Sequence, residues 1–213
     1  MNKFSKIYLS WRKGKGEPRH MVGEILNQNN DILFRYLDYN KAKKEGFNGY
    51  PGLSLEKTEH SNVMDLFSKR LINTERNDSE RLLKFWEVDP ATKEDKLYLL
   101  AMTQGINSID NFEFLADFDI TENMNFVTDL AGTSYYNFDI SNLQEGMLLN
   151  FEKENHPKDP LAVKVLFKNE LVGYIKKSHA NVFHKEGFQK IKLQIKHIVN
   201  VKDEKKIFVR VFI

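Results

Sequence analysis

Six histidines, His20, His60, His156, His179, His184 and His197, are the only soft metal-ligand candidates in this sequence, because cysteine is absent. Without cysteine there is no thiolate catalysis, no Cys-based zinc finger and no disulfide, a composition that fits a reducing compartment. His179 and His184 stand five apart. Two imidazoles on one helical face need a spacing of four, and no glutamate follows the first. No metal and no cofactor is expected. Gly14-Lys15-Gly16 lacks the G-x-x-x-x-G-K-[ST] spacing that cradles phosphate and reads as a turn. Neither a G-x-S-x-G elbow nor a kinase signature set is present. What remains is binding chemistry, carried by aromatics and cations.

The 213 residues hold 32 Lys+Arg against 30 Asp+Glu, a net charge of +2, with 41% apolar residues and 16 Phe. Such a chain can bury a real core, as one large domain or two small ones, and disorder is not expected. No apolar run approaches the roughly 20 residues that span a bilayer. The start, Met1-Asn-Lys-Phe-Ser-Lys, lacks a long apolar region and a cleavage site. A soluble cytoplasmic protein without membrane contact is expected. Charge is uneven, with 14 Lys/Arg against 10 Asp/Glu after residue 127. The opening segment holds Lys3, Lys6, Arg12, Lys13, Lys15 and Arg19 against Glu17 alone. Both basic regions are candidate anion contacts, and both also fit a solvated surface.

The elements that must position such residues fall into two parts. Residues 1–120 predict an α+β domain. Ile7–Arg12, His20–Leu26 and Ile32–Leu37 read as strands, the last two joined by the Asn27–Asp31 turn. Ser61 and Asp78 are candidate caps for two helices, and Pro90 suits the first turn of a third that ends at Gly105. Asn111–Leu115 looks like a returning strand, and a polar stretch after Asp119 reads as a link.

From residue 127 to 213 the period is mostly two. Strands are predicted at 126–131, 147–151, 162–167, 171–175, 190–196 and 207–213, with Lys168-Asn169-Glu170 as a hairpin turn. Ser178 can cap a short helix. Lys190, Lys192, Gln194 and Lys196 share one strand face. Five or six short strands with one helix describe a small β-barrel.

Glu154-Asn-His-Pro-Lys-Asp-Pro-Leu-Ala-Val-Lys-Val165, a short turn, and Val172-Gly-Tyr-Ile-Lys-Lys177 resemble the core of the HIRAN domain. Ala131-Gly-Thr-Ser-Tyr-Tyr136 is similar to the family's opening Gly-x-x-Tyr segment, and the segments occur in family order. The resemblance implies a small OB-like or SH3-like barrel that captures the 3′ end of single-stranded DNA. It assigns base stacking to Tyr135 and acceptance of the 3′-hydroxyl to Asp159, with Thr133 and Ser134 beside the terminal nucleotide and Tyr174 and Lys177 on the strand. Residue chemistry agrees. Tyr135 and Tyr136 offer aromatic faces, while Lys158, Lys164, Lys176 and Lys177 offer cations for phosphate. A carboxylate suits a neutral hydroxyl better than a phosphate.

Two departures matter. Ser134 stands where DNA-end binders tend to carry a basic side chain, and Lys158 replaces an aromatic. Other readings stay open: Asp159, between Pro157 and Pro160, also fits a turn fixed through its own backbone, and Lys176 and Lys177 also fit solvated residues before a helix. Gly173 fits a close backbone approach. The strand–hairpin–helix order of the N-terminal part resembles the small N-terminal subdomain of HipA-type kinases, without a shared motif.

A non-enzymatic nucleic-acid-binding protein is expected, gripping single-stranded DNA or its 3′ ends, with hydrolysis left to a partner. The N-terminal domain would contact a protein partner or extend the DNA contact. The alternatives are a protein–protein adaptor, or an accessory subunit of a DNA-processing or defence complex.

Overall fold

The computed structural model describes residues 4–28, 31–136, 138–156, 159–201 and 204–213. The chain forms two compact units, Phe4–Asp117 and Phe118–Ile213.

In the first unit, β1 (Phe4–Trp11), β2 (His20–Gln28) and β3 (Asp31–Tyr36) are followed by α1 (Asn40–Lys44) and a short β4 (Glu59–Ser61). Three short helices, α2 (Met64–Phe67), α3 (Ser79–Phe85) and α4 (Lys96–Thr103), lead to β5 (Phe112–Phe118). The sheet order is β4-β3-β2-β1-β5. Its core is aromatic, with Phe34, Phe47, Phe67 and Phe114 fully buried. Phe67 and Phe114 meet edge-on at 4.9 Å, as do Phe34 and Tyr36 at 4.8 Å, the geometry the ring quadrupoles favour. Arg70 anchors the other side. Its guanidinium forks onto Asp110 at 2.6 and 2.7 Å, donates to the Gly105 carbonyl at 2.8 Å, and lies over Tyr50, Phe112 and Phe114.

Local chemistry redraws the expected helices. Ser61 lies in β4, and Val63 takes the N-cap of α2 instead. Asp78 occupies the N-cap of α3, but its carboxylate turns to Arg76 at 2.9 Å. The helix expected from Pro90 is two pieces. Asp89 caps a single turn at Pro90–Thr92, and Asp95 caps α4 through the Leu97 and Tyr98 amides at 3.0 Å. The basic opening segment is also partly neutralised within this unit. Arg19 forks onto Glu113 at 3.0 and 3.1 Å, and Lys6 reaches Glu24 at 3.4 Å.

The second unit holds β6 (Asn125–Asp129), β7 (Leu148–His156), β8 (Asp159–Phe167), β9 (Glu170–Tyr174), α5 (Lys177–Ala180), β10 (Lys192–Val201) and β11 (Glu204–Phe212). The order is β6-β11-β10-β7-β8-β9, and neighbouring strands run antiparallel. Alternate residues point inward, so Val163, Val165, Leu193, Ile195, Ile207, Val209 and Val211 fill the core with Phe183. Phe118 and Phe126 stack face to face at 3.9 Å.

The expected barrel is not formed as such: the sheet is open. β7 pairs with β10 at Leu149 with Leu193 and Leu148 with Gln194. Just before β7 the Gly146 amide donates to the Ile195 carbonyl and the Ile195 amide to the Met147 carbonyl, both at 2.8 Å. Beyond the edges, a lone bridge joins Ala131 to Tyr174. Ser178 falls inside α5, whose N-cap is Lys176.

Candidate nucleic-acid interface

Tight turns and one close backbone approach build the surface around Tyr174. Lys168 and Asn169 both take left-handed conformations, φ 48° and 69°, and close the β8–β9 hairpin in two residues. β9 then brings Gly173 against the chain leaving β6. A Cβ at this position would meet the Ala131 carbonyl at 2.8 Å and the Thr133 methyl at 3.3 Å. Only glycine lets the backbones come this near. Ala131 and Tyr174 exchange both backbone hydrogen bonds, at 2.7 and 2.9 Å. Gly132, at φ +78°, then turns the chain, and the Tyr135 amide donates to its carbonyl at 2.8 Å. The Tyr136 ring lies over Gly132, where a Cβ would come within 3.1 Å of it.

The result is a row of three rings. Tyr135 and Tyr136 are 5.5 Å apart and nearly perpendicular, and Tyr136 and Tyr174 are 5.9 Å apart at 42°. Tyr135 is 85% exposed, while Tyr136 and Tyr174 are half-buried. The Tyr174 hydroxyl donates to Glu154 Oε2 at 2.7 Å. Burial, the Glu154 carboxylate and the Tyr136 hydroxyl together push the Tyr174 phenol above its usual range. Lys164 sits directly across from both Tyr174 and Glu152, and its ammonium pairs with Glu152 at 3.2 Å.

The remaining expected residues divide. Ser134 is exposed, and Lys177 is exposed at the start of α5. Thr133 is 6% exposed, and its hydroxyl donates to the Lys205 carbonyl at 2.8 Å, so it holds the loop rather than facing solvent. Lys176 is removed from the surface altogether. Its side chain is fully buried and pairs with Asp129. Burying an ammonium costs several kcal/mol unless it is paired, which is what Asp129 supplies. Asp159 opens β8 and accepts from the Leu161 amide at 3.2 Å, the local turn that its position between prolines also allowed. Lys158 lies outside the described residues.

Sequence reading missed one partner of this row and one of the loop that carries it. Glu154 opened the recognised motif, yet its bond to Tyr174 spans 20 residues and leaves no local trace. Lys205 comes to the Thr133 loop from 72 positions away and is exposed. Asp139 is held below the usual carboxylate range by the Ser141 hydroxyl and amide, with the Lys205 charge adding to them.

The histidines do not converge. His179 is buried and bonds Thr128 at 2.9 Å, while His184 reaches the Leu161 carbonyl at 3.2 Å. Among the described residues no three His, Asp or Glu side chains gather as a metal site, and no helix is long and apolar enough to cross a membrane.

No curated protein and no solved structure is matched by the chain. The resemblance of the N-terminal part to HipA-type kinases is unsupported. Residues 123–213 match the HIRAN domain, a family associated with nucleic-acid binding.

Proposed function

We propose that the C-terminal unit binds single-stranded nucleic acid, DNA and its 3′ end in particular, and that the chain does so without catalysis. The observation that carries this reading is the Tyr135 ring, 85% exposed beside Tyr136 and Tyr174. Stacking on such a ring is worth about 1–3 kcal/mol per base. Lys177 and Lys205 are exposed cations available to the backbone. The HIRAN match supports the same class of ligand. Asp159 is the candidate acceptor for a terminal hydroxyl. The Ala131–Tyr174 bridge supports reading the open sheet as an OB-like barrel drawn together at one point.

Short oligonucleotides with free or blocked 3′ ends test this with wild type, Tyr135→Ala and Asp159→Ala. Tyr135→Ala is expected to weaken binding to every strand, and Asp159→Ala to matter only for the free end. Equal affinity of all three proteins for both ligands would sink the proposal.

A protein–protein adaptor is the second reading. It is favoured by Leu148, 62% exposed at the rim of a groove of about 460 Å³ that mixes apolar Phe151 with polar Asn150, Glu152, Asn169 and Lys192. Salt separates the two readings. A phosphate-driven complex loses about 0.7 log units of affinity per log unit of salt for each contact, and a protein interface centred on Leu148 does not release counterions in this way.

A further inference from the structure

Glu154 stands beside the ring row with one carboxylate oxygen held by the Tyr174 hydroxyl at 2.7 Å. That bond fixes where the carboxylate sits. The cation across from Tyr174, Lys164, is engaged by Glu152 at 3.2 Å, and among the described residues Glu154 forms no ion pair. A carboxylate, negatively charged like phosphate, repels it. It accepts hydrogen bonds and has none to give. Whatever a bound strand presents here must therefore be a hydrogen-bond donor, a hydroxyl or an N–H, and on the base edges that donor is an N–H.

We propose that Glu154 gives this platform a base preference, favouring adenine, cytosine and guanine, which carry an exocyclic amine, over thymine and uracil. Glu154 can act so only if Tyr135, Tyr136 and Tyr174 stack bases, the reading proposed above. An unstacked base lying on the rings exposes its Watson–Crick edge. Cytosine N4, adenine N6 and guanine N2 place an amine there, and acidic side chains accept from such groups. Thymine and uracil instead show a single N3–H between two carbonyl oxygens, which a carboxylate repels. Tyr174 is a positioning residue in this scheme: its ring extends the platform and its hydroxyl orients the acid.

The test is fluorescence anisotropy with labelled oligonucleotides that differ only in their last 3′ nucleotides, dA, dC or dT. It uses wild type, Glu154→Gln and Tyr174→Phe. Wild type is expected to prefer dA and dC over dT by about fivefold, the low end for one acidic contact to an amine. Glu154→Gln keeps the shape and an acceptor for the Tyr174 hydroxyl but adds a donor, so the preference should shrink below about twofold. Tyr174→Phe keeps the ring and frees the acid, and should lose most of the preference while retaining affinity for dT. Equal binding of the three strands by wild type, or a preference that survives Glu154→Gln, overturns the role of Glu154 and leaves the platform standing. Failure of every strand to bind overturns the platform itself, and this role with it.

Discussion

Gly173 lies against the carbonyl of Ala131, which a Cβ at position 173 would approach to 2.8 Å. Carbonyl oxygen cannot yield as a side-chain tip can, because Ala131 is bonded to Tyr174 through both of its backbone groups. Gly173→Ala is therefore expected to destabilise the C-terminal unit by about 1–3 kcal/mol, the range for overpacking. Urea denaturation followed by circular dichroism measures it. An unchanged midpoint would mean that the two segments separate readily.

Lys176 is a buried ion-pair partner of Asp129. Lys176→Met removes one partner and leaves a carboxylate in the interior, a change that costs about 3–5 kcal/mol in comparable pairs. The salt dependence of nucleic-acid binding should stay the same at a temperature where the variant is folded. A shallower salt slope would return Lys176 to the phosphate contacts.

Lys177 and Lys205 are the cations to test for phosphate contact. Replacing either by Gln should lower the log–log salt slope for single strands by about 0.7, and replacing both by about 1.4. Lys205→Gln keeps the main-chain carbonyl that Thr133 uses, so thermal stability should not move. An unaltered slope in both variants would place the strand elsewhere.

Asp110 carries a pH prediction for the N-terminal unit. Burial alone would raise its carboxyl pKa, but hydrogen bonds from Arg70 and the Phe112 amide outweigh burial and hold it below the ordinary value. The folded state thus favours the ionised form. This stabilisation is complete above the unfolded carboxylate value of about 3.9 and is lost as pH falls through the lower folded value. Asp110→Asn should destabilise wild type at neutral pH and flatten the loss between those two values. Parallel acid-denaturation curves for the two proteins would contradict it.

The β8–β9 hairpin places two non-glycine residues at positive φ. Lys168→Asn with Asn169→Gly supplies the pair that such a turn prefers. The change should stabilise the unit by about 0.5–1 kcal/mol, a fraction of the cost of left-handed backbone for ordinary residues. Thermal melting of the double variant checks it.

Short-range chemistry was the legible part of this chain. The Lys168-Asn169-Glu170 turn marked the hairpin, and Gly173 in a strand marked a close approach. The alternation at 190–196 marked β10 only in part, since the strand starts at Lys192, Lys190 ends a single helical turn at Phe188–Lys190, and a bulge at Lys196 breaks the shared face. Capping was less legible. Asp78 and Ser61 are good capping types, but a neighbouring arginine claimed the first and a short edge strand the second. Lys176 and Lys177 are adjacent and chemically identical, and nothing local says that one is buried against Asp129 while the other faces water. Glu154, the partner of Tyr174, and Lys205, whose carbonyl holds Thr133, are brought in by pairing across distant strands, which no window along the sequence contains.

Thr133 is fastened to the start of β11 through the peptide oxygen of Lys205 and not through its side chain. Scaffold and decoration are thereby uncoupled at this corner. Position 205 can be rewritten as acid, amide or aromatic while the loop bearing Tyr135 keeps its mooring, so ligand choice there is open to retuning, by drift or by design, with little structural penalty.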